Sequence, residues 1–368
     1  MSKYPGKLAL QQRALPLYRG PFLEMLAAAC DRGLSVFAGK PRLVEGIASI
    51  NHLNVASYKP GRNLHFLNPS SRFYLCWQSG LVRWLGAWNP DALVVEANPR
   101  YLSTPLAVRW MHQRGKPVLG WGLGVPRTGN PIELFLRRNL LSSLDSMIAY
   151  SQRGAEEYRT LGLKNVTVAH NAVSPRPKGK PPIRSDVKVG KPVVLFVGRL
   201  QARKRIDILL NACRDLPDDL KPELVIVGDG PARSDFQDLA AKVYPAAVFT
   251  GAVHGVELDP FYEKADLFAL PGTGGLAVQQ AMARGLPVIV AQGDGTQDDL
   301  VRPENGWQIP PGNQEGFTAV LRDALYDLPR LREMGAESFR IVFEEINLET
   351  MVTSFVEALK NTQVLGDC

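Results

Sequence analysis

Short apolar runs alternate with longer helix-like segments up to residue 173, the pattern breaks, and the same alternation starts again at residue 192. This doubled rhythm constrains the fold most, because alternation of this kind produces βαβ units and a parallel sheet. In the first half KLALQQ (7–12) reads as a strand, PFLEMLAAACDRG (21–33) as a helix opened by Pro21 and stopped at Gly33, and LSVFAG (34–39) as the next strand. DALVVEA (91–97), PVLGWG (117–122), SMIAYS (146–151) and VTVAHNAV (166–173) continue the series, with TPLAVRWMHQRG (104–115) a helix among them. The break, SPRPKGKPPIRSDVKVGK (174–191), has four prolines and many cations without apolar periodicity, as expected of an exposed linker. PVVLFVG (192–198), ELVIVG (223–228), AVFTG (247–251), DLFALPG (266–272) and LPVIVA (286–291) are strands of the second half, and RIDILLNACRDL (205–216) and AVQQAMARG (277–285) its helices. A chain of 368 residues exceeds one ordinary core. The expectation is therefore α/β, with two Rossmann-like doubly wound domains: 1–173, a linker at 174–190, and 191–368, whose last helix is free to pack back on the first domain.

With 45% hydrophobic and 21% charged residues the composition is that of a globular chain, which excludes extended disorder. The N-terminus lacks the apolar core of a signal peptide and no stretch approaches a membrane span, so a cytoplasmic protein is expected. Cys30, Cys76, Cys213 and Cys368 form no C-x-x-C pair, and His52, His65, His112, His170 and His254 form no metal pattern. The charge is unevenly divided. Through residue 188 there are 26 Lys+Arg and 10 Asp+Glu, a net +16; the remainder has 17 and 26, a net −9. A basic half suits a polyanionic partner. No zinc-finger spacing, RNP-like strand or recognition-helix pattern accompanies it, which argues against nucleic acid and leaves an anionic membrane, an anionic soluble acceptor or a merely soluble surface.

Ligands of open parallel sheets bind outside the carboxyl ends of the strands. VVLFVGRLQARKRIDILL (193–210) puts Gly198 at such an end, followed by Arg199 and Lys204, two cations that could clamp a diphosphate. LPGTGGLAVQQAMARGLPVIVA (270–291) puts Gly272, Gly274 and Gly275 before a helix, so that the N–H groups of Gly274, Gly275 and Leu276 can approach phosphate. Neither a Walker motif nor G-x-G-x-x-G is present, which removes the main support for ordinary ATPases and dinucleotide enzymes.

FVGRL…K (196–204), ELVIVGDGPAR (223–233), VFTGAV (248–253), ADLFALPG (265–272), GLAVQQAMARGLPVIVA (275–291) and ENGWQIPPGN (304–313), in this order, resemble the family 4 retaining nucleotide-sugar glycosyltransferases. The resemblance covers residues 145 to 320 and implies the two-domain GT-B architecture, its domains facing a central cleft. It implies that Arg199 and Lys204 hold the donor diphosphate, that the backbone after Gly275 supports it, and that the base lies near Val253. The family's paired glutamates fall here on Gly272 and Gln280; Gln280 keeps an acceptor for a ribose hydroxyl, whereas Gly272 offers no side chain. Gly20, after Arg19, stands where the family has a glycine-containing loop near the donor phosphates.

The expected acceptor residues are Glu96, Asn98 and Arg100, for which capping and turn formation is the equal alternative, and Trp121, which suits either stacking on a sugar or packing in a core. Arg199, Lys204 and Glu96 are the candidate catalytic residues. The implied function is retaining transfer from a UDP- or GDP-sugar to a hydroxyl of a glycan, lipid-linked or small-molecule acceptor, with no cofactor and no metal. The alternatives are a glycosyltransferase-like subunit that binds nucleotide or partner with weak or no catalysis, and a sugar-nucleotide epimerase. A peripheral contact with an anionic membrane at its inner face is expected through IELFLRRNLLSSL (132–144), where Ile132, Leu134, Phe135, Leu136, Leu140 and Leu141 accompany Arg137 and Arg138. Packing of that apolar face on the sheet is the competing reading.

Overall fold

The computed structural model describes the chain except residues 1, 43, 44, 46, 69, 70, 72, 126–130, 185–189, 294, 367 and 368, and divides into two compact units. The first comprises residues 1–173 and 348–368, the second residues 174–347.

The first unit contains β1 (Leu8–Ala14), β2 (Leu34–Gly39), β3 (Ser57–Pro60), β4 (Arg62–Phe66), β5 (Leu75–Ser79), β6 (Ala92–Glu96), β7 (Val118–Gly122), β8 (Ser146–Ala149) and β9 (Val166–Val168). Its parallel sheet has the order β3-β2-β1-β6-β7-β8-β9, and β4 and β5 form a separate antiparallel hairpin. Strands β2, β6, β7 and β8 are mostly apolar, and β1 opens on the apolar run Leu8, Ala9 and Leu10 before Gln11 and Gln12, because both their faces are covered. Leu8, Leu10, Ala92 and Val94 face one cluster, with the helix Gly20–Ala28; Ala9, Leu93 and Val95 face another, with Leu81–Trp88 and Thr104–His112. The helix Leu348–Gly366 closes the first of these clusters, where Phe355 packs at 4.9 Å from Phe22 and 5.1 Å from Trp121. The final helix thus belongs to the first unit, and the second domain ends at residue 347 rather than 368.

The second unit contains β10 (Val193–Val197), β11 (Glu223–Val227), β12 (Val248–Gly251), β13 (Leu267–Leu270), β14 (Val288–Ala291) and β15 (Gly306–Ile309) in the parallel order β12-β11-β10-β13-β14-β15. In both sheets the strand order reverses at the first strand, at β1/β6 and at β10/β13, and such a switch point is where open parallel sheets bind their ligands.

Pro175–Ile183 is largely exposed, as a linker should be, but both flanks are anchored within the second unit. Ser174 N–H donates to the Gln279 side-chain oxygen, whose amide in turn donates to the Ile346 carbonyl. Arg184 donates to the carbonyls of Tyr262, Ala265, Arg284 and Gly285, all at the ends of the helices Asp259–Lys264 and Leu276–Met282, where carbonyls lack intrahelical partners. Burial pushes its pKa down to about 10, so it stays charged. Arg184→Ala strands four carbonyls and should lower unfolding free energy by about 2 to 4 kcal/mol, measured by urea denaturation.

In the helix Pro131–Ser142, Arg137, Leu140 and Leu141 are buried, whereas Leu134, Phe135 and Leu136 are exposed. The face expected at a membrane is therefore divided, with one edge given to packing; the Ile132 side chain, like Cys368, lies outside the described residues.

Candidate functional site

In the second unit the switch point sets the loop after β10 beside the loop after β13. Gly198 leaves β10 at φ 157°, and its carbonyl lies so close to Gly228 that a Cβ there would overlap it, so Gly228 (φ 147°) has no substitute without backbone movement. Leu200 is buried, and Ala202–Lys204 turns the chain into the helix Ile206–Asp215. Arg205 begins that helix in left-handed geometry (φ 52°) and is held by ion pairing to Asp207 at 2.8 Å.

Lys204 is the centre of the site. Its Nζ donates to the Thr273 carbonyl at 2.6 Å, and among the described residues no carboxylate pairs with it. Burial, then the neighbouring Arg203, lowers its pKa to about 8. Arg203 donates from Nη1 to Thr273 Oγ1 at 3.1 Å, and its carbonyl accepts from Thr273 N–H at 3.1 Å. The two loops are therefore laced together, and glycine is what permits it. A Cβ at Gly272 would overlap the Arg203 carbonyl and the Lys204 backbone, and one at Gly274 (φ 130°) would overlap Lys204 Nζ. The Gly274 carbonyl accepts from Nε2 of buried Gln297 at 2.8 Å, and Gln297 Oε1 has no hydrogen-bond partner among the described residues.

Gly198, Arg199, Lys204, Gly274, Gly275 and Leu276 thus come together on adjoining loops, with Arg199 exposed and Gly275 capping the helix Leu276–Met282. Gln280 is half-buried on that helix and accepts from Tyr262 Oη at 3.4 Å. Val253 follows β12, two strands away from β10 on the same edge, partly packed against the core. The empty position at Gly272 is explained: the Arg203–Lys204 backbone occupies the space a side chain would need.

The residues expected in the first unit are mostly engaged locally. Trp121 is fully buried among Phe22, Tyr150 and Phe355, which excludes stacking on a sugar and corrects its assignment to an acceptor. Glu96 accepts from Arg13 N–H at 2.9 Å and Tyr101 Oη at 3.1 Å; Asn98 Oδ1 accepts from Arg100 N–H, and Arg100 pairs with Glu133 at 3.3 Å. These three therefore have the turn-forming and capping contacts of the alternative reading. Gly20 opens the Gly20–Ala28 helix with Ile50 packed where a Cβ would stand, and Arg19 is buried 4.4 Å from the Trp121 ring, donating to Asn171 Oδ1 at 2.7 Å.

Around the first unit's switch point lies a polar cluster that no local pattern in the sequence announces. Arg13 pairs with Glu45 at 2.8 Å, and His65 Nδ1 lies 2.7 Å from Tyr74 Oη. Burial would raise the Glu45 pKa, but hydrogen bonds from the Arg13 side chain and the Arg42 backbone hold it below the usual carboxylate range. Burial and then the cations Arg42 and Arg13 push the His65 pKa down, against the opposing pull of Glu45.

The "Glycosyl transferases group 1" family model matches residues 181–340. The GDP-mannose-dependent alpha-mannosyltransferase of Mycobacterium tuberculosis is 38% identical over 41% of this chain and 38% of its own length. The sulfoquinovosyl transferase SQD2 of Arabidopsis thaliana is 34% identical over 37% of this chain and 27% of its own, so the match spans well under half of these relatives. Among solved structures, Anabaena HepE in complex with UDP superposes with TM-score 0.72 at 16% identity, over 98% of this chain and 100% of that one. The fold is therefore that of GT-B glycosyltransferases, and residues 181–340, within the second unit, are similar to the group 1 glycosyl transferases.

Proposed function

We propose that the second unit binds a UDP- or GDP-sugar by its diphosphate and that the protein transfers the sugar, with retention of configuration, to a hydroxyl acceptor bound by the first unit. The observation that carries this reading is Lys204, a half-buried cation with no carboxylate paired to it among the described residues, framed by Gly272 and Gly274 at the switch point. Burying an ammonium is unfavourable unless an anion offsets it, and a diphosphate is the anion that glycine turns at a strand end accommodate. As the bond from the anomeric carbon to the leaving oxygen breaks, negative charge grows on the β-phosphate. Lys204 and Arg199 stabilise that charge from fixed positions. The phosphate oxygen then accepts the acceptor's proton, so no protein base is required. The polar cluster of Arg13, Glu45, His65 and Tyr74 is the hydroxyl-binding surface of the first unit.

One observation favours a second reading, a subunit that binds nucleotide without turnover: Gly272 supplies no carboxylate to a donor sugar. Incubation with UDP- and GDP-sugars distinguishes the cases. Hydrolysis or transfer supports the first, stoichiometric binding without turnover the second, and an isomerised sugar nucleotide an epimerase.

The loops 198–206 and 271–281 contain no Asp or Glu to hold a divalent cation at the phosphates. Lys and Arg supply the positive charge instead. Exhaustive EDTA treatment should leave most transfer activity, and loss restored by Mg²⁺ or Mn²⁺ would refute this assignment.

A further inference from the structure

The hairpin of β4 and β5 is built inside out. Side chains alternate between the faces of a strand, and a sheet resting on a protein ordinarily buries the apolar set. Here Asn63, Cys76 and Gln78 turn inward: the Asn63 amide donates to the Arg13 carbonyl, Gln78 is bonded to Gln11, and Cys76 is buried. Leu64 pairs across the hairpin with Trp77 and Phe66 with Leu75 on the outward face, where Leu64 is 38% and Phe66 49% exposed. Beyond them Leu67 and Phe73 are 62% and 54% exposed. Contiguous apolar surface of this kind marks an interaction site.

The charge around it selects the partner. Residues 46–90 contain no Asp or Glu at all, but carry Lys59, Arg62 and Arg83. Arg62 lies on the outward face in register with Leu64 and Phe66, and Arg42 donates to the Leu67 carbonyl at 2.7 Å. We propose that the outward face of the β4–β5 hairpin docks on an anionic phospholipid bilayer, its aromatic and leucine side chains entering the interface and its cations meeting the headgroups. The helix Pro131–Ser142, with Leu134, Phe135 and Leu136 exposed but one edge packed, is the competing contact that the test separates from this one. This surface goes beyond the transferase reading and does not rest on it, since binding is read without turnover.

The test is sedimentation of the full chain with vesicles of phosphatidylcholine, with and without phosphatidylglycerol. Binding should require phosphatidylglycerol and weaken as salt rises. Combining Phe66→Ser, Phe73→Ser and Trp77→Ser should reduce it by about tenfold or more. The charge-reversing pair Lys59→Glu and Arg62→Glu, which leaves the packing untouched, should also reduce it, and both variants should keep wild-type nucleotide affinity. Changing Leu134, Phe135 and Leu136 to Ser should leave vesicle binding intact. The proposal is overturned if the wild-type chain ignores anionic vesicles at low salt, or if only the Leu134–Leu136 variant loses binding. It is equally overturned if the hairpin substitutions dissociate an oligomer without altering vesicle binding.

Discussion

Lys204→Ala should lower kcat/KM by about tenfold to more than a hundredfold, the loss of a charge-assisted contact of about 1.5 to 3 kcal/mol made in the transition state. The melting temperature should not fall with it. In the free protein the ammonium is held in an environment that disfavours charge, with a pKa of about 8 against the ordinary value of 10.5. Between these values the unfolded chain binds the proton and the folded chain does not, so Lys204's contribution to stability rises with pH from 8 to 10.5 and is least below 8. Lys204→Met should accordingly match or exceed wild-type stability at neutral pH. Nucleoside diphosphate should stabilise the wild type strongly, because it supplies the missing counter-charge and binds the folded state. Wild-type affinity should decline above pH 8 as Lys204 deprotonates, a decline absent from Lys204→Met. Calorimetric titration across that range, beside kinetics of both variants, checks each part; wild-type kinetics in Lys204→Ala would dismiss the phosphate site.

Gly272→Glu restores the residue type of the family's paired glutamates and is nevertheless expected to abolish binding rather than improve it. The new Cβ would overlap the Arg203 carbonyl and the Lys204 backbone, forcing apart the loops that Thr273 and Arg203 hold together. Overlap with backbone cannot be relieved by a rotamer change. A destabilisation of about 3 kcal/mol or more, with loss of nucleotide affinity, is expected. Denaturant unfolding and titration with UDP and GDP measure the two effects. A stable variant with improved turnover would mean that the loops separate readily and that glycine at 272 is incidental.

Both sheets were legible because their central strands, such as Val193–Val197 and Ala92–Glu96, are unbroken apolar runs bounded by turn residues. The β4–β5 hairpin was not, since its alternation places apolar residues outward and polar ones inward, contrary to the rule by which strands are assigned. Helices at 314–326 and 328–344 also went unread, lying beyond the motifs that drew attention to the second half. Arg199, Lys204 and the glycines were visible as a local cluster at strand ends. The Arg13–Glu45 pair was not, because its members are 32 residues apart and only the sheet brings them together. Trp121 shows the opposite difficulty: an aromatic beside glycines suits a sugar platform or a core equally, and only the packing of Phe22 and Phe355 decides it.

The helix Leu348–Gly366 has a consequence for the order in which the protein matures. Every ribosome must make the whole of residues 174–347 before it makes Phe355 and its neighbours, so the first unit cannot finish on a first-come basis. During that interval Phe22 and Trp121 lack the partner that seals them, whereas the second unit, continuous in sequence, has all its strands in hand. A chain truncated after residue 347 and released should therefore present the second unit as a protease-resistant body while the first exposes the apolar surface that the helix Leu348–Gly366 covers, and the arrival of that one helix is the step that completes it.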